Sequence, residues 1–296
     1  AREARRIFDM TVERQSQRLV SLISNPNFTE GDMYNILPED LPHTQEESVK
    51  SLDTVLNELE EFVGMRKVKN LVRRLAVQSM FMRQRSAQGV GRVQQMVMNF
   101  ILTGNPGTGK TSLARKMGEL LQSMEILPSK KIVEVSRATL VGKYMGETPK
   151  IVNKMCDKAI GGILFIDEAY TLYGENDTYG KEAIDTLIKR MEDDRGKFVV
   201  IAAGYKDQME LFLQSNPGLA SRFTHRLHID DYNEDELLEI FKKMAAQEQF
   251  VLSPAAEQKL MDHICRMLVV KDSQFGNARE MRNLLDYTIQ QLSIRV

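Results

Sequence analysis

The stretch Gly104-Asn-Pro-Gly-Thr-Gly-Lys110-Thr111 constrains this 296-residue chain more than any other. Upstream, Val97-Met-Asn-Phe-Ile-Leu102 is a short apolar run of the kind that a buried parallel strand requires. Downstream, Leu113, Ala114, Met117, Leu120 and Leu121 recur at the spacing of one helical face. A glycine-rich turn between strand and helix lets backbone N–H groups converge on phosphate at a helix N-terminus, where the dipole favours anions. Asn105, Pro106, Gly107, Thr108, Gly109 and Ser112 complete that cradle. Lys110 would reach the β- and γ-phosphates of a nucleoside triphosphate, and the Thr111 hydroxyl would ligate Mg²⁺. The stretch reads as a nucleotide-binding P-loop.

A second signal is Gly162-Ile-Leu-Phe-Ile-Asp167-Glu168. Four apolar residues place this strand in a sheet centre, so its two carboxylates emerge at the C-terminal end, where α/β sheets bind ligands. Asp167 would hold Mg²⁺, directly or through water. Glu168 would polarise the water that attacks the γ-phosphate.

Around these motifs strands and helices alternate. Strands are predicted at 97–102, 131–135, 162–167, 197–203 and 226–230, and helices at 111–122, 147–160 and 180–193. That alternation argues a parallel sheet with helices on both faces. After Asp231-Tyr232-Asn233 the strand signals stop, and helical patterns follow at 234–248, 254–268 and 277–293. The predicted fold class is α/β, a P-loop NTPase sheet followed by a small all-helical lid domain. Residues 51–231 are assigned to the large nucleotide-binding part and 232–296 to the lid. Before them, residues 1–50 read as a helix over Arg2–Ser24, a stop at Asn25-Pro26-Asn27 and an extended linker marked by Pro38 and Pro42. Opening at Ala1 on a charged helical stretch, this piece looks like the end of a preceding domain.

Composition narrows the partners. The formal net charge is -1, so no global field advertises nucleic acid or an acidic membrane. No apolar run reaches membrane-spanning length, and no signal-peptide core opens the chain. Cys156 and Cys265 both fall in helical patterns and read as small core residues, which points to a reducing, cytoplasmic compartment. His225 and His228 lie in a strand pattern that sends them to opposite faces, which argues against a shared metal.

The P-loop, Asp167-Glu168 and a helical lid together resemble the AAA+ ATPase superfamily. Leu140-Val-Gly-Lys-Tyr-Met-Gly-Glu-Thr148, Phe165-Ile-Asp-Glu-Ala-Tyr-Thr-Leu-Tyr173, Ala203-Gly-Tyr-Lys-Asp207 and Gln214-Ser-Asn-Pro-Gly-Leu-Ala-Ser-Arg-Phe223 narrow the likeness to the CbbX/CfxQ group. That group includes red-type Rubisco activases, stage V sporulation protein K and ATPases of type VII secretion. The likeness covers roughly residues 51–293. It implies ATP and Mg²⁺ as cofactors and a homo-oligomeric ring, usually a hexamer, with each nucleotide at a subunit boundary. Arg222 then matches the arginine finger that reaches the neighbour's γ-phosphate, with Arg226 as the fallback. Arg279 matches sensor 2 at the start of a lid helix, where Arg282 could substitute. Val63 and Gly64 match the loop that packs on adenine. Most of the superfamily puts a polar sensor 1, often Asn, after the fourth strand; here that place falls to Tyr205.

Gly142-Lys143-Tyr144-Met145-Gly146 is a glycine-bracketed loop with an apolar tip, which folding alone would not favour. In hexameric AAA+ remodellers an aromatic at this point lines the central pore and grips polypeptide, and a second pore-side loop is expected at 174–180. The expected function is therefore a Mg²⁺-ATP-driven ring that remodels a protein substrate. A nucleotide-gated scaffold with slow turnover is the alternative, ahead of a nucleic-acid motor.

Overall fold

The computed structural model describes residues 50–88, 98–174, 176–272 and 275–294, with positions 8, 11, 12, 15, 16, 18, 19, 34–37 and 40 before them. The chain forms two compact units, Ala1–Val49 and Lys50–Val296. Within the first, Phe8, Thr11, Val12, Gln15, Ser16, Arg18 and Leu19 are helical, and the Arg18 guanidinium pairs with the Asp40 carboxylate at 2.8 Å. The remainder of the expected Arg2–Ser24 helix, its Asn25-Pro26-Asn27 stop, and Pro38 and Pro42 lie outside the described residues.

The second unit opens with helices α1 (Leu52–Glu60) and α2 (Arg66–Ala87). Strand β1 (Phe100–Thr103) then leads into α3 (Lys110–Ser123), and β2 (Ile132–Val135) leads into the single turn α4 (Arg137–Leu140) and α5 (Thr148–Ala159). Strand β3 (Ile163–Ile166) is followed by a 3₁₀ turn (Ala169–Leu172) and α6 (Thr178–Asp193). Next come β4 (Val199–Gly204), α7 (Lys206–Gln214), α8 (Pro217–Arg222) and β5 (His225–His228). Helices α9 (Glu234–Gln247), α10 (Pro254–Val269) and α11 (Ala278–Ile294) close the unit.

All five strands are parallel, in the order β2-β3-β4-β1-β5. Every residue of β3 and β4 is buried, as a strand covered on both faces requires. Because side chains alternate along a strand, Phe100, Leu102, Phe165 and Ile201 join α1, α2 and α3 on one face. Ile101, Leu164, Ile166, Val200 and Ala202 meet α5, α6 and α7 on the other. Each fully buried Phe or Leu in these layers contributes roughly 1.5–3 kcal/mol by leaving water. The carboxyl ends of β1, β3 and β4 thus open on one edge of a rigid slab.

The lid helices build a third core from Tyr232, Leu237, Phe241, Ile264, Phe275, Met281 and Leu285. Helix α9 starts on a reciprocal cap: Asn233 Oδ1 accepts from Glu236 N, and Glu236 Oε2 accepts from Asn233 N.

Two expectations change. Helices α7 and α8 fill a stretch where no helix was predicted. Their cue is local: Pro217 occupies the first turn of α8, and Asn216 Oδ1 accepts from Gly218 N at 2.8 Å. Cys156 is buried as expected, but Cys265 is exposed. Ile264 takes the inward position of α10, so its neighbour turns outward.

Candidate functional site

The P-loop joins β1 to α3, and Gly107 and Gly109 adopt left-handed backbone (φ 70° and 89°) that a Cβ would strain. Gly109 is the N-cap of α3 and supplies no side-chain cap, so the first amides of the helix are free for an anion. Lys110 Nζ donates to the carbonyls of Gly104 (2.8 Å) and Asn105 (2.9 Å) and sits 5.6 Å from the Tyr205 ring centroid. Burial lowers the Lys110 pKa, and nearby Arg279 lowers it further; Asp167 and Glu168 oppose both. Thr108 is fully buried, with its hydroxyl on Asn105 O at 2.9 Å. The Asn105 side chain points away from the cradle, donating to Asp231.

Asp167 and Glu168 follow β3, and Asp167 N is held by Val135 O at 2.9 Å, which ties the ends of β2 and β3 together. Glu168 lies in the left-handed region (φ 48°, ψ 46°). A non-glycine residue there costs about 1–2 kcal/mol and is retained where the surrounding structure imposes it. The imposing contacts are the Thr171 N–H and hydroxyl, both donated to Glu168 O, at 2.9 and 2.7 Å. Burial, Glu168, Tyr205 and Asp167 push the Tyr170 hydroxyl up to about 12, and its ring meets Tyr205 with centroids 5.7 Å apart.

One cavity of about 280 Å³ gathers most of the predicted residues. Pro106, Gly107, Gly109, Lys110, Thr111, Ser112, Asp167, Glu168, Tyr205 and Arg279 line it, with Gly204, Met244, Ala278 and Arg282. Arg279 and Arg282 come from the start of α11, so the lid closes the cavity from above the P-loop. An uncapped helix N-terminus, a half-buried lysine, a threonine hydroxyl and two carboxylates form the donor set that a triphosphate with Mg²⁺ requires. The residues fit that group. Among the described residues no group of three or more His, Cys, Asp or Glu side chains is placed to hold a metal by itself.

Sequence reasoning missed the weld between lid and P-loop. Asn277, fully buried at φ 48°, donates from Nδ2 to Pro106 O (3.2 Å), Asp231 Oδ1 (3.0 Å) and Phe275 O (3.1 Å). Its Oδ1 accepts from Tyr232 N at 3.1 Å. Ala278 N donates to Gly107 O at 3.2 Å, and a Cβ on Gly107 would stand 1.9 Å from Gly276 O. The only advance cue was the polar pair Asp231 and Asn277 flanking the lid's first and last helices.

The remaining predicted residues lie outside this cavity. Val63 packs on the lid core, and Val63 and Gly64 border a separate recess with Glu60, Arg66, Arg73 and Glu236. Arg222 ends α8: Nη1 donates to Gly218 O (3.2 Å), and Nη2 pairs with Glu192 at 3.3 Å. Its Nε is buried with no hydrogen-bond partner among the described residues. Arg226 is on β5. Tyr144 and Met145 are 70% and 88% exposed at the tip between α4 and α5, while Lys143 N and Tyr144 N donate to Glu147 Oε2. His225 stacks on Phe100 and His228 bonds to Thr103 Oγ1, two separate settings.

Comparison with known proteins agrees with this geometry. Residues 100–231 match the family described as ATPase family associated with various cellular activities (AAA), and residues 233–296 match the AAA lid domain. Stage V sporulation protein K of Bacillus subtilis is 39% identical over 251 residues, 83% of this chain and 76% of that protein. Protein CbbX of Cereibacter sphaeroides is 42% identical over 236 residues, 78% of this chain and 75% of that protein. The chloroplastic ribulose bisphosphate carboxylase/oxygenase activase of Cyanidioschyzon merolae is 40% identical over 239 residues, 79% of this chain and 80% of the relative.

Proposed function

The chain belongs to the AAA family of ATPases, in its CbbX-type branch, and from that premise we propose a ring-forming protein remodeller that grips polypeptide at Tyr144. ATP hydrolysis with Mg²⁺ is the activity of the family. Bound Mg²⁺-ATP supplies the electrophilic phosphorus and a neutralising cation. The α3 amides and Lys110 hold the phosphates, while Thr111 and Asp167 hold the metal. Glu168 orients the attacking water and accepts its proton. Tyr205, tilted against the Tyr170 ring and facing Lys110 Nζ, shapes the water side of the cavity. Arg279 reads occupancy for the lid. Arg222 acts on the nucleotide of an adjacent copy, which makes a homo-oligomer, most simply a hexamer, part of the reading.

The observation that carries the gripping role is the exposed apolar tip. A tyrosine and a methionine stand out in water, yet Glu147 and the buried Thr148 brace their loop from behind. Apolar side chains held out on a braced loop are placed to contact something else. A protein substrate fits them better than nucleic acid, given the net charge of -1. A cytoplasmic setting accords with two free cysteines, and no helix among the described residues is long and apolar enough to cross a membrane.

The test uses casein as an unfolded probe polypeptide. Tyr144→Ala should leave basal turnover near native and abolish casein-stimulated turnover. Stimulation that survives the substitution, or is missing from the native chain, overturns the gripping role and favours the scaffold alternative.

A further inference from the structure

The Arg137 guanidinium bridges three segments. It is the first residue of α4, whose chain runs on through Val141 and Gly142 to the Tyr144 tip. Its Nη1 donates to Thr171 O at 3.0 Å and also pairs with the Asp177 carboxylate. Thr171 in turn donates both its N–H and its hydroxyl to Glu168 O. Asp177 caps α6, accepting from Gly180 N at 3.0 Å, and lies within the loop expected at 174–180.

We propose that Arg137 is the positioning residue that couples the Glu168 turn to the Tyr144 tip and to the α6 N-terminus, so that a change at the ATP site moves both loops together. The coupling rests on the gripping role argued above. It follows from connectivity: one nitrogen satisfies the carbonyl of Thr171, the residue that hydrogen-bonds to Glu168 O, and an acceptor on the second loop, and its own backbone leads into the first loop.

Three details make the bridge tight enough to transmit movement. Gly180 is packed so close that a Cβ would stand 2.2 Å from Leu172 O and 3.0 Å from Arg137 Nη1. The Arg137 hydrogen bond holds the Asp177 carboxyl below its ordinary range, so the pair stays charged near neutrality. The tip is braced as a unit, because Gly142 N donates to Thr148 Oγ1 and the Lys143 and Tyr144 amides share Glu147. Displacement of the α4 end therefore swings the tip rather than dissipating within it. Arg137 itself does not line the nucleotide cavity, so its removal leaves nucleotide affinity intact.

An environment-sensitive fluorophore on Met145→Cys, in a Cys265→Ser background, reads the tip directly. The signal is the emission difference between Mg²⁺ with the slowly hydrolysed analogue ATPγS and Mg²⁺ with ADP. Arg137→Gln should bind both nucleotides as the native chain does and reduce that difference about five-fold or more, the low end of an ordinary coupling between two sites. Asp177→Asn keeps the α6 cap, because an asparagine oxygen accepts from Gly180 N, and should reduce it similarly; it serves if Arg137→Gln fails to fold. A full-size response in either folded variant, or no response in the native chain, overturns the coupling. Failure of the gripping role is read separately, in the casein assay of Tyr144→Ala.

Discussion

Tyr232 donates its hydroxyl to the backbone carbonyl of Thr108 at 3.1 Å, joining the residue that begins the lid to the middle of the P-loop. Asp231 beside it accepts from Asn105, and Asn277 reaches both Asp231 and Pro106. Four consecutive P-loop residues, 105 to 108, are thus held by residues 231, 232, 277 and 278. The lid cannot rotate without disturbing the phosphate cradle.

Tyr232→Phe keeps the ring packing and removes one hydrogen bond, so it should cost about 1 kcal/mol in thermal unfolding. Burial and Glu236 push the hydroxyl up to about 12 from 10.0. The folded state therefore holds that proton more tightly than the unfolded chain. This contribution is complete below pH 10 and disappears as pH rises through about 12. The Phe variant should show a shallower alkaline loss of stability, measured by unfolding at pH 8 and pH 11; parallel curves would contradict it.

Asn277→Ala should be the more damaging change. It leaves Tyr232 N without its acceptor in a buried place, at about 1–3 kcal/mol, and puts alanine at φ 48°. Asn277→Gly relieves the backbone part alone and should fall between native and Ala in melting temperature. Equal melting of the Ala and Gly variants would show that backbone conformation contributes nothing there.

Lys110→Ala should abolish ATP binding, because the cradle loses its lysine cation. Glu168→Gln should bind Mg²⁺-ATP normally and hydrolyse it about 10²–10⁴-fold more slowly, since a carboxamide cannot accept the proton from water. Equilibrium dialysis and phosphate release separate the two. Normal ATP affinity in the first variant, or normal turnover in the second, removes the corresponding role.

The cysteines offer a test of the helical packing. Burial pushes the Cys156 thiol up to about 11, so little thiolate forms near neutral pH, whereas Cys265 is exposed. A chromogenic disulfide reagent should modify one thiol rapidly in the native protein and the second only on unfolding. Two fast thiols would mean that α5 opens readily.

The sheet and the P-loop were legible because both depend on local pattern. Apolar runs such as Ile163–Ile166 have few alternatives, and the glycines at 107 and 109 are needed for backbone reasons visible in sequence. Cys265 was misread because helical spacing alone does not say which residues face inward; Ile264 does so instead. The α7–α8 pair was missed because its start and stop signals, Asn216 and Pro217, look like a loop between strands. The partners of the Asn277 weld and of the Arg137 bridge were not legible, although the polar pair Asp231 and Asn277 was visible. Weld and bridge each join residues 34 or more positions apart, and only the folded chain brings them within hydrogen-bond reach.

Arg222 gives the sharpest test of assembly. Within its own chain it lines no part of the nucleotide cavity and is steadied by Gly218 O and Glu192. Asn99, buried at the start of β1, fixes the backbone beneath it by donating to Arg222 O at 3.1 Å while accepting from Val200 N. The Glu192 partner is 56% exposed, and such a pair is worth about 1 kcal/mol at most. A phosphate on an adjacent copy would readily outcompete it. Arg222→Ala should therefore bind ATP normally and lose turnover about 10³-fold or more. Mixed with the equally inactive Lys110→Ala chain, it should regain activity, because a native Lys110 cradle then faces a native Arg222. Phosphate release from the mixture, with subunit exchange checked by fluorescence transfer, decides the matter. Exchange without recovered activity would place the role of Arg222 within its own chain.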